Sequence, residues 1–224
     1  MKLNTDQIEE IEGFIDSKNV EFYDIKVELV DHLASAIEEE LTKFPSLTFS
    51  DVLQSKYKEF GLFGFSDFVE QRTSAVFSES RKKYWKQFLR FFKIPKLVYT
   101  GLIYVLFYFI FQTFYLIHPV AIIGSIIIPL GLYSFIKYLK MKKELKEKLL
   151  QKKYYPFWIS ISGSFLNLFN FIMTEGNKKA FWYQPWFLAG IISIFIICIW
   201  AELNTNQTIH QKLRLEYPEA FKTI

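Results

Sequence analysis

Within the stretch KVELVDHLASAIEEE, Lys26 to Glu40, the side chains of Glu28, Asp31 and His32 fall within about one helical turn. A carboxylate four residues before an imidazole shares its face of a helix. Such a set suits a metal site, a general acid–base pair, or a polar surface that a partner reads. Zinc takes three or four ligands from His, Cys and carboxylates. The other candidates are remote: His118 is expected at an outer membrane surface, His210 in a distal tail, and the lone Cys198 inside an apolar run. Acid–base work by Glu28 and His32 needs a nucleophile or a cleft, and neither is evident. There is no Gly-rich phosphate loop, nucleophile elbow or cysteine cluster. No catalytic, cofactor or metal residue is therefore expected, and the chain is read as non-enzymatic. The stripe is read first as the ion-paired edge of a helix. Its second reading is a docking face for a protein partner, formed by Glu28, Asp31, His32 and Glu39.

The element that must carry this stripe is a helix expected from Tyr23 to Thr42. Its apolar face is Ile25, Leu29, Val30, Leu33, Ala34, Ala36, Ile37 and Leu41, and Glu28, His32, Ser35 and Glu39 run along the other side. A first helix spans about Thr5 to Lys18, with Asn4 as cap and Gln7 completing a box. Thr48 caps a third, with Asp51 three residues on, and Gly61 ends it. Ser66 is expected to cap a fourth. No strand-like alternation appears, so residues 1–80 read as a small acidic helical bundle.

The charge is split. Residues 1–80 carry 17 acids and 7 bases, a net of −10, whereas residues 81–224 carry 6 acids and 20 bases, a net of +14. An acidic domain followed by a basic, apolar one points to a membrane. Four segments lack Asp, Glu, Lys and Arg for about the length a bilayer core demands: 97–118, 119–137 (with the stem of Lys137), 154–174 and 181–201. His118-Pro119 leaves almost no loop between the first two. Seven Lys and Arg lie in 81–96 and eight in 137–153, against two between the last two spans. The positive-inside rule then places the head, the loop 137–153 and the tail 204–224 in the cytoplasm. Trp182 and Trp186 belong at the outer interface, Trp158 and Trp200 at the inner. The polar N-terminus does not read as a secretory signal, and none is expected there. The expected location is the bacterial inner membrane.

Residues 81–96 read as a basic amphipathic surface helix. Tyr84, Trp85, Phe88, Leu89, Phe91 and Phe92 share one arc, and Lys83, Lys86, Arg90 and Lys93 the opposite one. Anionic lipids of the inner leaflet are the expected partners of these bases; direct nucleic-acid binding is not expected. The loop 137–153 faces the same compartment as the acidic head, and the head is expected to dock reversibly on it and on the surface helix.

Polar residues within the spans form two stripes. One is Tyr104, Tyr108, Gln112 and Tyr115, the other Ser160, Ser164, Asn167 and Asn170. Small and polar residues of this kind seam helices together, within one chain or in a homo-oligomer. A polar pocket is the sharper reading. The fold class is thus all-α: a cytoplasmic helical bundle, an amphipathic interfacial helix and a four-helix transmembrane unit.

IKVELVDHLASAIEEE, followed by YKEFGLFGFSDFVEQR, resembles the N-terminal domain of uncharacterised multi-pass membrane proteins of Bacteroidota-type bacteria. More distantly it resembles HAAS-type helical domains, which precede membrane spans in bacterial proteins often paired with PadR-like transcription regulators. Glu28, Leu29, Asp31, His32 and Leu33 meet the E-L-x-D-H-L core. The resemblance implies a cytoplasmic sensing or docking module in signalling or regulation, not an enzyme. The alternative function is a small channel or lipid or small-molecule transport component that uses the polar seam.

Overall fold

The computed structural model describes residues 2–114, 119–153 and 184–222. Among them the helices are α1 (Thr5–Ser17), α2 (Tyr23–Lys43), α3 (Phe49–Lys58), α4 (Phe65–Leu89), α5 (Lys96–Thr113), α6 (Pro119–Lys143), α7 (Leu150–Lys153) and α8 (Pro185–Glu216). Short 3-10 turns occupy Arg90–Phe92 and Pro218–Ala220. The only extended pairing among the described residues is an isolated bridge, Leu145 to Phe221. The fold is all-α.

The chain divides into two compact units. The first comprises Met1–Glu79, Leu145–Lys153 and Glu216–Ile224; the second comprises Ser80–Glu144 and Tyr154–Leu215.

In the first unit the helix starts follow from local chemistry. Asn4 Oδ1 accepts from the Gln7 amide at 2.8 Å, and Gln7 Oε1 accepts from the Asn4 amide at 3.0 Å, which satisfies two donors at the start of α1. Thr48 Oγ1 accepts from the Asp51 amide at 3.2 Å and caps α3. Ile11 and Ile15 of α1 are sealed against α2, which buries Ile25, Leu29, Leu33, Ile37 and Leu41 at every fourth position. Each such side chain contributes about 1.5–3 kcal/mol. The expected cap at Ser66 is not made: α4 begins one residue earlier, at Phe65. Phe65 enters the core, its ring 5.0 Å from that of Tyr57 and 4.9 Å from that of Phe60, so packing sets the start. Two glycines make the preceding turn. Gly61 and Gly64 have φ of +81° and +54°, and a Cβ on Gly64 would lie 2.5 Å from Tyr57 Oη.

In the second unit, α5, α6 and α8 are long and apolar enough to cross a membrane. Little of α5, or of α6 from Ala121 on, is buried. Leu102, Leu106 and Phe109 on α5, and Ile128, Leu132 and Phe135 on α6, face outward. Bare hydrocarbon on helices of this length and composition suits a lipid solvent, and three such helices point to a membrane protein. The helices meet through Phe107 and Phe111 of α5, Ile123 of α6, and Leu188, Ala189 and Ile192 of α8. The expected span 154–174 and the first residues of the span 181–201 lie outside the described residues.

α8 runs unbroken for 32 residues, about 48 Å at 1.5 Å per residue, well past the expected end at Ala201. Its second half buries Glu202, Thr205, Asn206, Ile209, His210 and Leu213. Thr205 Oγ1 donates back to the Ala201 carbonyl at 2.7 Å, and His210 Nε2 lies 2.8 Å from Glu144 Oε2.

Candidate functional site

α2 carries the stripe singled out in the sequence. Its apolar face is consumed by the core, which leaves the stripe outside. Glu28 Oε2 pairs with Arg72 Nε on α4 at 2.7 Å. His32 is exposed and lies against two rings of the first unit, edge-on to Phe60 at 6.1 Å and tilted over Phe68 at 6.5 Å. Asp31 is exposed beside it. Glu39, two turns further on, pairs with Lys43. That ammonium holds the Glu39 carboxyl below its usual range, and Lys43 is raised in return. The structure thus brings Glu28, Asp31 and His32 together with Arg72, Phe60 and Phe68, and keeps Glu39 in a separate pair. Among the described residues no three His, Cys, Asp or Glu side chains gather as a metal site.

Phe60 leads into the LFGF turn, where Leu62 is 100% exposed and Phe63 is 71% exposed. Phe63 lines a cleft of about 380 Å³ with Lys18, Phe22, Tyr57, Phe65 and Val69. These two residues at a glycine turn, close in sequence to the His32 neighbour Phe60, are the most exposed large apolar side chains among the described residues of the first unit.

A second constellation, which no sequence motif marks, sits at the start of α2. Asp24 is buried. Its carboxylate accepts from the Leu150 amide at 2.9 Å and the Gln151 amide at 3.4 Å. It thus acts as an N-cap for α7 supplied from another helix. Burial pushes the Asp24 carboxyl up, and these backbone donors pull part of that back. The Tyr23 amide donates to the Lys148 carbonyl at 2.8 Å. The Tyr23 hydroxyl donates to Glu219 Oε2 at 2.8 Å; burial, then this bond, push the phenol up to about 12. Glu21 pairs with Lys148, which lowers its carboxyl. The Lys146 and Glu147 amides both donate to the Ala220 carbonyl. Leu149 and Leu150 are sealed in the core, the Lys152 ammonium lies 4.9 Å from the Phe221 ring centre, and that of Lys153 lies 5.4 Å from Phe22. Part of the basic loop is therefore built into the acidic head by buried leucines and backbone bonds, with surface charge as an addition. Helical periodicity does not mark it: Asp24 lies one turn before Glu28, on the polar side of α2.

Of the polar seam, Tyr108 packs beside the α5–α6–α8 cluster, Tyr104 is half-exposed and Gln112 is exposed. Tyr115, Ser160, Ser164, Asn167 and Asn170 lie outside the described residues. The surface segment is the end of α4 plus the 3-10 turn, and its aromatic arc divides. Tyr84, Phe88 and Phe91 pack around Ala201 of α8, whereas Trp85, Leu89 and Phe92 stay exposed. Lys86, Arg90 and Lys93 line a groove with Trp85 and Leu89; Lys83 is not among its lining residues and is half-buried. Comparison of the chain with protein-family models, curated proteins and solved structures finds no match.

Proposed function

We propose that this chain is a non-enzymatic, multi-pass signalling or regulatory protein of the bacterial inner membrane, whose helical head docks a cytoplasmic protein partner. The observation that carries the reading is the outer surface of α2 and its neighbours. Asp31 and His32 stand exposed beside the Glu28–Arg72 pair, and the chain next to Phe60 presents Leu62 and Phe63 bare. Exposed charge and exposed apolar side chains on one small unit are features a protein partner reads. The resemblance of VELVDHL to HAAS-type modules runs in the same direction.

Four spans with both termini cytoplasmic fit the composition of the first unit. It includes segments from before α5, from between α6 and α8, and from after α8. A compact unit lies on one side of a bilayer, so the chain must cross an even number of times between each pair of these segments. α5 and α6 supply one even pair. α8 supplies one crossing of the other, which supports the span proposed at 154–174. The basic segments 81–96 and 137–153 favour the cytoplasm for that side.

Photo-crosslinking in native membranes tests docking. A photoreactive residue in place of His32 or Phe63 should give a protein adduct of defined mass, lost when Glu28 and Asp31 are changed to alanine. The same residue in place of Glu9 should give none. Equal adducts at all three positions, or no adduct at any, would sink the reading.

A further inference from the structure

The end of α4 and the 3-10 turn after it carry a stripe that neither the helical core nor the docking face uses. Arg81, Lys82, Lys86, Arg90 and Lys93, with Trp85 and Leu89, line an open groove of about 550 Å³. Five cationic side chains along one stripe repel one another and concentrate positive charge there. Trp85 and Leu89 are 50% and 53% exposed. They are left bare because α8 covers only the Tyr84, Phe88 and Phe91 side of the aromatic arc. The stripe therefore presents apolar surface and positive charge side by side. It runs, three residues past Lys93, into α5, whose Leu97, Val98 and Leu102 face outward.

We propose that this groove binds the headgroup of an anionic phospholipid, with Trp85 and Leu89 against the lipid body. Three features select that ligand. Bases beside a lipid-facing helix attract anionic headgroups. Trp is suited to the polar–apolar boundary. The arginines offer planar forks that match a phosphodiester. The groove shares no lining residue with the α2 stripe, so lipid binding here does not rest on partner docking.

The test is native mass spectrometry of the full chain released from detergent, with three probes: phosphatidylglycerol, phosphatidylcholine and inorganic phosphate. Phosphatidylglycerol is expected to be retained roughly tenfold over phosphatidylcholine. The triple change Lys82→Gln, Lys86→Gln, Arg90→Gln should bring it down to the phosphatidylcholine level. The pair Lys82→Arg, Lys86→Arg should retain it, which separates loss of charge from loss of fold. Lys140→Gln with Lys142→Gln, on the exposed end of α6, should leave it unchanged. Equal retention of the two lipids, a triple variant that binds as well as the parent, or equal loss in the α6 control would overturn the site. Displacement of the lipid by inorganic phosphate at the lipid's own concentration would make it a free-phosphate site instead.

Discussion

The Asp24 carboxylate accepts the amide of Leu150 at 2.9 Å, across 126 residues of sequence that contain α5 and α6. One buried acid thus caps a helix that arrives from beyond two membrane-length segments. Hydrogen bonds to a charged acceptor contribute about 1.5–3 kcal/mol each. Asp24→Ala would leave two amide donors of α7 without their acceptor in a buried place. The expected result is local opening of Leu145–Lys153. Amide exchange at Leu150 and Gln151, followed by mass spectrometry on the full chain in detergent, should accelerate tenfold or more. Unchanged exchange would mean that the buried leucines alone hold the segment.

The same carboxyl gives a pH dependence with a definite sign. Its folded pKa is raised above the ordinary 3.8 by burial, so the folded head binds a proton more readily than the unfolded chain. The stability this group contributes is full below the ordinary value and is lost as pH rises through the raised one. Asp24→Asn removes the titration. Wild type should therefore gain thermal stability on the variant as the solution is taken from neutral toward about pH 4. A wild type that loses ground on acidification would show that its amide donors outweigh the cost of burial. Glu21 and Glu39, with lowered carboxyls, act in the opposite direction in both proteins and cancel in the comparison.

Gly64 sets the turn that presents Leu62 and Phe63. Its φ of +54° costs a residue with a Cβ about 1–2 kcal/mol, and that Cβ would also meet Tyr57 Oη at 2.5 Å. Gly64→Ala is expected to destabilise the head by about 2 kcal/mol or more in denaturant melts. Tyr57→Phe removes the clashing oxygen. The double variant should recover the steric part and keep the backbone part, and strict additivity of the two changes would rule out the clash.

The sequence makes legible what repeats locally. Asn4 with Gln7, and Leu29, Leu33 and Ile37 at fourth positions, act within a few residues, and α1 and α2 stand where that periodicity puts them. Glu28 and His32 share a side for the same reason, whereas their contacts with Arg72, Phe60 and Phe68 depend on how other helices pack. The Asp24 clamp leaves no periodic trace, because its partners are amides that every residue carries. α8 outran its expectation because counting charge-free residues stops at Glu202, while Thr205, Ile209 and Leu213 carry the buried side of the helix onward. In the sequence, the aromatic arc of α4 reads as one membrane-facing surface. It is two, because α8 claims the half that holds Tyr84 and Phe88.

The Glu28–Arg72 pair separates docking from stability. Both side chains are more than a third exposed, and exposed pairs of this kind contribute about 0–1 kcal/mol. Glu28→Ala should shift the melting of the head by no more than that, and by less in high salt. Its effect on the photo-adduct at position 32 should be much larger. A loss of adduct matched by an equal loss of stability would return Glu28 to a purely structural role.

The two faces of α5 differ in what they meet. Phe107 and Phe111 pack into the cluster with Ile123, Leu188 and Ile192, whereas Leu102, Leu106 and Phe109 on the same helix touch little protein. In water such a face would drive aggregation; in a bilayer it meets acyl chains. Nitroxide labels on single cysteines, in a Cys198→Ser background, read the difference directly. Labels at 102, 106 and 109 should be relaxed strongly by dissolved oxygen, which partitions into lipid, and weakly by a water-soluble nickel complex. A label at 107 should be shielded from both, and Phe107→Ala should cost about 3 kcal/mol of packing. Strong nickel accessibility at 106 would place that face of α5 in water. The apolar surface would then need a second protein surface as its cover, and the case for lipid contact would pass to α6 alone.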